Sequence, residues 1–212
     1  MKCSKKDFIL YAITDRRWLN GKTLCEQVES AIKGGVTIVQ LREKSMSRQD
    51  FLSEAVDVKR VCSRYGVPLI INDSPEIAVK VNADGVHIGQ NDTDILTARK
   101  IIGENKILGV SSHSVKEAVS AEKNGADYLG AGAVFNTGSK SDTTPLSMSE
   151  LRKICTSVSI PVVAIGGISL QNIDLLSESG ASGVAVISAV FAQPDVKSSA
   201  HELYSHVINW KN

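Results

Sequence analysis

What the chain lacks narrows it first. Charge of one sign is not in excess: 24 Lys and Arg stand against 23 Asp and Glu, a net of +1, so no global field draws nucleic acid or an anionic membrane to it. Any anionic partner must be held locally. Cysteine is sparse and scattered, at Cys3, Cys25, Cys62 and Cys155. The absence of a CxxC pair or of a Cys/His cluster with metal-ligand spacing argues for free, mostly buried thiols rather than a metal module. No run approaches the roughly 20 apolar residues that cross a bilayer. After the basic start Met1-Lys2-Cys3-Ser4-Lys5-Lys6, the apolar stretch is broken by Thr14-Asp15-Arg16-Arg17, too soon for a signal-peptide core. A cytoplasmic chain with no nucleic-acid or membrane partner is the expectation. There is also no Pro-rich or Ser-rich linker, so the 212 residues read as one domain, 1–212, at the lower end of barrel lengths.

What is present is a repeat. Hydrophobic residues make up 42% of the chain, and many gather in short Ile- and Val-rich runs: Phe8 to Thr14, Thr37 to Arg42, Leu69 to Asn72, Gly85 to Gly89, Ile107 to Ser111, Tyr128 to Val134, Val162 to Gly166 and Gly183 to Ile187. Stretches with helical spacing lie near 23–33, 48–65, 75–81, 93–102, 114–124, 147–156, 169–178 and 196–209. Most runs are too continuously apolar for a half-solvated antiparallel sheet, and strands alternating with helices indicate a parallel one. Small residues close several helices, as at Asn82-Ala83-Asp84-Gly85 and Asn124-Gly125-Ala126-Asp127, where Gly or Asn takes the left-handed turn that ends a helix. Eight such units close most economically into a single (β/α)8 TIM barrel.

Barrel enzymes carry their reactive groups at the carboxyl ends of the strands. The second strand ends Gln40-Leu41-Arg42-Glu43-Lys44, and alternation puts Gln40, Arg42 and Lys44 on one face. A planar guanidinium clasps two phosphate oxygens while a lysine adds a compact charge, so the trio suits a diphosphate; a solvated charged turn is the alternative. The next two strand ends carry Asn72-Asp73 and Asp92. Carboxylates beside a phosphate site suit an intervening Mg2+, although helix capping and a general acid/base pair compete for the same residues. The fifth strand offers Ser111 as a ligand-binding hydroxyl and His113 either as a helix-start residue or a proton carrier. A polar loop, Asn136 to Pro145, follows the sixth strand and resembles a lid. Gly166-Gly167 after the seventh strand and Ile187-Ser188 after the eighth occupy the usual barrel phosphate position.

Gln40-Leu41-Arg42-Glu43-Lys44, Ile71-Asn72-Asp73, Gly85-Val86-His87-Ile88-Gly89-Gln90, Gly109-Val110-Ser111, Thr137-Gly138-Ser139-Lys140 and Ile165-Gly166-Gly167-Ile168, taken in order, resemble the thiamine-phosphate synthase family over almost the whole chain. The resemblance implies coupling of a hydroxymethylpyrimidine diphosphate to a hydroxyethylthiazole phosphate, with release of pyrophosphate and with Mg2+ as cofactor. It implies that Gln40, Leu41, Arg42, Glu43, Lys44, Asn72, Ser111 and Lys140 hold the pyrimidine diphosphate, with Arg42, Lys44, Ser111 and Lys140 serving the reaction. It further implies that Asp73 and Asp92 bind the metal, and that Thr137, Gly138, Ser139, Gly167, Ile187 and Ser188 hold the thiazole phosphate. A homodimer is a family-level expectation. One departure is Asn136-Thr137-Gly138-Ser139-Lys140 where the family usually has Pro-Thr-x-Thr-Lys, which loosens the loop while keeping the hydroxyls. Three rivals share the fold: a thiazole tautomerase, a non-catalytic barrel that binds thiamine precursors, and a phosphosugar isomerase or aldolase. The complete Asn72-Asp73, Asp92 and Lys140 set argues against the first. Binding without pyrophosphate release would mark the second, and a Schiff-base lysine within a strand the third.

Overall fold

The strand segments are short and buried on both faces, so each can satisfy its backbone only between two neighbours. A computed structural model, which describes residues 5–136 and 145–210, shows how they do so. Strands β1 (Leu10–Ile13), β2 (Ile38–Leu41), β3 (Leu69–Asn72), β4 (Gly85–Ile88), β5 (Ile107–Ser112), β6 (Tyr128–Gly132), β7 (Val162–Ile165) and β8 (Gly183–Val186) pair in parallel, each with the next, and β8 returns to β1. The result is a closed (β/α)8 barrel.

Alternation along each strand divides the apolar residues into two cores. Tyr11, Ile13, Ile38, Ile70, Tyr128 and Val163 fill the inside of the barrel, while Leu10, Val39, Leu41, Leu69, Ile71 and Val86 face the helices. That is why the runs read as continuously apolar. The outer layer consists of α1 (Leu24–Lys33), α2 (Arg48–Tyr65), α3 (Pro75–Lys80), α4 (Ile95–Ile102), α5 (Val115–Lys123), α6 (Met148–Ser157), a short α7 (Ser188–Phe191) and α8 (Val196–Asn209). Thr23 begins α1 with a capping box: its hydroxyl accepts from Glu26 N, and the Glu26 carboxylate accepts from Thr23 N. Asn82 and Gly125, both at positive φ, make the turns into the next strands.

Two expectations change. The helix read at 169–178 is only a 3-10 turn, Ile173–Leu176. Asn172 explains the difference, because its side chain accepts from Ser169 N and donates to Gly167 O, giving the backbone an alternative to helical bonds. The short α7 was not expected, since four residues carry no legible periodicity.

At the amino ends of the strands, Asp127 accepts from both Leu108 N and Arg99 Nη2. Arg99 also donates to the carbonyls of Gly103, Lys106 and Gly125. Asp84 repeats the device with Leu69 N and Lys59. These contacts lock the end of the barrel opposite the candidate site.

Candidate functional site

The carboxyl end of the barrel opens into a cavity lined by Gln40, Arg42, Asn72, Ser111, His113, Gly166 and Ile187, with Tyr11, His87 and Tyr128 beneath them. Alternation on β2 delivers Gln40 and Arg42 to this space and sends their neighbours elsewhere. Leu41 is fully buried in the outer core, so only its backbone is available near the mouth. Glu43 turns outward, its side chain 5% exposed and its nearest cation Arg16 at 3.7 Å; burial pushes its carboxyl above the usual range. Lys44 lies exposed on the bend that follows.

Arg42 is held by its backbone, since Arg42 N donates to Thr14 Oγ1 at 3.0 Å. Withdrawal from water lowers its pKa from the ordinary guanidinium value, a change that Asp15 and Asp73 oppose. A cation in that position gains from an anionic ligand. Asp15 itself is committed to Arg17, which binds it through Nε and Nη2.

Asp73 and Asp92 come together across the β3 and β4 ends, as the sequence suggested. Helix capping does not account for either one: Ser74 caps α3 and Asp94 caps α4. Asn72 Nδ2 donates to Asp73 Oδ2 at 2.5 Å, and Gly89 N donates to Asp92 Oδ2 at 2.7 Å. Partial burial and the neighbouring Asp92 carboxylate push Asp73 up to about 6. Asp73 also stands at φ 58, a left-handed conformation that non-glycine residues rarely adopt and that recurs at functional sites.

On the far side of the mouth, Gly166 and Gly167 have φ of 103 and 64. A Cβ at Gly167 would strike the carbonyl of Asn136, so the β7 turn packs directly under the loop leaving β6. Ile187 borders the cavity and Ser188 begins α7. Thr137, Gly138, Ser139 and Lys140 lie outside the described residues. His113 lines the cavity beside Glu117, which accepts from its backbone N at 2.7 Å and lies 3.2 Å from its Nδ1.

Sequence reasoning gave no role to Tyr11, His87 or Tyr128. Gln40 Nε2 donates to the Tyr11 hydroxyl at 2.7 Å, which lies 2.8 Å from the Tyr128 hydroxyl. His87 Nδ1 is 2.9 Å from that hydroxyl, and its Nε2 is 3.0 Å from Ser111 Oγ. The available signal was three polar rings at inward strand positions among aliphatic residues. Recognising it needed the cross-strand register that pairs Asn72 with His87 and Gly109 with Tyr128.

The thiamine monophosphate synthase family model matches residues 10–190. Thiamine-phosphate synthase of Ruminiclostridium cellulolyticum is 52% identical over 206 residues, 97% of this chain and 98% of that protein. The Clostridium acetobutylicum protein of the same name is 48% identical, covering 95% of each chain. Among solved structures, thiamine phosphate pyrophosphorylase from Pyrococcus furiosus superposes with a TM-score of 0.91 at 39% identity, over 98% of this chain and 99% of that one. With matches spanning nearly its full length and a cavity at the expected barrel end, the chain belongs to the thiamine monophosphate synthase family.

Proposed function

We propose that this chain, a thiamine-phosphate synthase, joins a hydroxymethylpyrimidine diphosphate to a hydroxyethylthiazole phosphate, with loss of pyrophosphate, through the residues gathered at the mouth. The observation that carries this reading is the convergence of Gln40, Arg42, Asn72 and Ser111 on one cavity, with the paired Asp73 and Asp92 carboxylates within the electrostatic reach of Arg42.

The pyrimidine ring enters the inner cavity beside Gln40 and Ser111, with Tyr128 and His87 beneath them, and its diphosphate projects toward Arg42, Lys44 and Asn72. Two carboxylates pressed together, one with its pKa raised, form a hard oxygen donor set that suits Mg2+. Among the described residues no group of three His, Cys, Asp or Glu is placed to hold a metal, so substrate phosphates would complete the coordination. When bound, Mg2+ supplies neutralisation of the diphosphate charge.

Arg42 stabilises the departing pyrophosphate, and Lys140 is assigned the same task. An electron-rich aminopyrimidine stabilises the cation left behind, which the thiazole nitrogen captures, so no protein nucleophile is required. Gly167, Ile187 and Ser188, with Thr137, Gly138 and Ser139, hold the thiazole phosphate on the opposite rim.

A cytoplasmic homodimer built from one barrel domain completes the proposal; among the described residues no helix is long and apolar enough to cross a membrane. Incubation with both phosphorylated substrates, with and without Mg2+, followed by a pyrophosphate assay, tests it. Release that needs Mg2+ and both substrates is the expected result, and its absence removes the assignment.

A further inference from the structure

The polar groups inside the barrel form one chain of hydrogen bonds, Gln40 to Tyr11 to Tyr128 to His87 to Ser111. Its direction follows from Tyr11. That side chain is 2% exposed, and among the described residues its hydroxyl meets only Gln40 and Tyr128. Its oxygen accepts from Gln40, and a phenol has one proton, so that proton goes to Tyr128; left unpaired at a buried position it is costly. Tyr128 in turn donates to His87 Nδ1, which places the imidazole proton on Nε2, and Nε2 donates to Ser111 Oγ. The Ser111 hydroxyl proton is then left for the cavity. Gln40, with Nε2 committed to Tyr11, offers the cavity its carbonyl oxygen.

The sequence keeps space for this chain. A Cβ at Gly109 would fall inside the Tyr128 phenol, and one at Gly130 would sit 3.2 Å from His87 Cε1. Glycine within a strand packs poorly and marks a close approach.

We infer that Tyr11, Tyr128 and His87 are positioning residues that fix an acceptor at Gln40 and a donor at Ser111, so that the inner cavity selects a ring bearing an amino donor and a ring-nitrogen acceptor over the oxo ring with the reversed pattern. The inference rests on the proposed reading of this cavity as the pyrimidine site. It extends that reading to residues that act through Gln40 and Ser111.

Calorimetric binding of 4-amino-2-methyl-5-(diphosphooxymethyl)pyrimidine and of its 4-oxo counterpart, to the unaltered protein and to Tyr128→Phe and Gly130→Ala, tests the inference. The unaltered protein is expected to favour the amino compound by about 30-fold or more, because each mispaired buried group costs roughly a factor of ten. Each variant is expected to cut that preference at least fivefold while binding inorganic pyrophosphate within twofold of the original. No preference in the unaltered protein, a preference unchanged in both variants, or an equal loss for both rings and pyrophosphate overturns the inference. Selective binding without pyrophosphate release sinks the coupling reaction and leaves the inference standing.

Discussion

Replacing Gly109 by alanine sets one methyl group against the most crowded ring of the barrel. Tyr128 is fully buried. Its ring centroid lies 4.6 Å from that of Phe8, 5.9 Å from Tyr11 and 5.4 Å from His87, and the new Cβ would overlap its Cζ and hydroxyl. The ring cannot move without disturbing these neighbours. Overpacking costs about 1–3 kcal/mol, and a displaced hydroxyl forfeits bonds to Tyr11 and His87 worth about 1 kcal/mol each. A combined loss of roughly 3–5 kcal/mol corresponds to a fall in Tm of roughly 6–20 °C for a chain of this size. Scanning calorimetry on Gly109→Ala reads it directly. In a Tyr128→Leu background, where ring and hydroxyl are gone, the same glycine change is expected to cost less than half as much. A fall of under 2 °C, or equal costs in the two backgrounds, refutes the packing argument.

Further tests address the two ends of the barrel. Arg99→Met leaves the Asp127 carboxylate with Leu108 N alone and strips three carbonyls of their donor; urea unfolding is expected to show a loss of roughly 2–3 kcal/mol. A loss below 1 kcal/mol would show that water replaces the guanidinium. At the mouth, Asp73 has its pKa raised to about 6 against roughly 3.9 when unfolded. The folded state therefore binds more protons between those values, and metal-free stability declines as pH rises from about 4 to 6. Mg2+ is expected to raise Tm more at pH 7.5 than at pH 5, and Asp73→Asn to remove both the decline and the Mg2+ effect in a fluorescence melt. An equal Mg2+ shift at both pH values would detach the metal from this pair.

The strands were legible because each is a run buried on two faces between charged helices, and the alternation read through Gln40, Arg42 and Lys44 brings the first two to the cavity but stops short of Lys44, which lies exposed on the bend beyond β2. Resemblance grouped Leu41 and Glu43 with them; the Leu41 side chain packs in the outer core and Glu43 lies by Arg16, so a motif read as a continuous string does not separate side chains from backbone as the part that faces a ligand. Asp73 and Asp92 lie 19 positions apart, and only the pairing of β3 with β4 makes them neighbours. The interior hydrogen bonds were the least legible part. Tyr11 and Tyr128 meet from strands 117 positions apart, and each ring alone reads as a core aromatic.

That separation bears on how the molecule assembles. Tyr11, Gln40 and His87 belong to the first four strands, Ser111 and Tyr128 to the next two. A nascent chain that has completed β4 therefore holds Gln40, Tyr11 and His87 without the Tyr128 that joins them or the Ser111 that ends the wire, with polar atoms facing an unclosed interior. Contacts of such long range form late, after loop closure has been met. Occupancy of the inner cavity by a ligand is thus a direct report that both halves of the barrel have met.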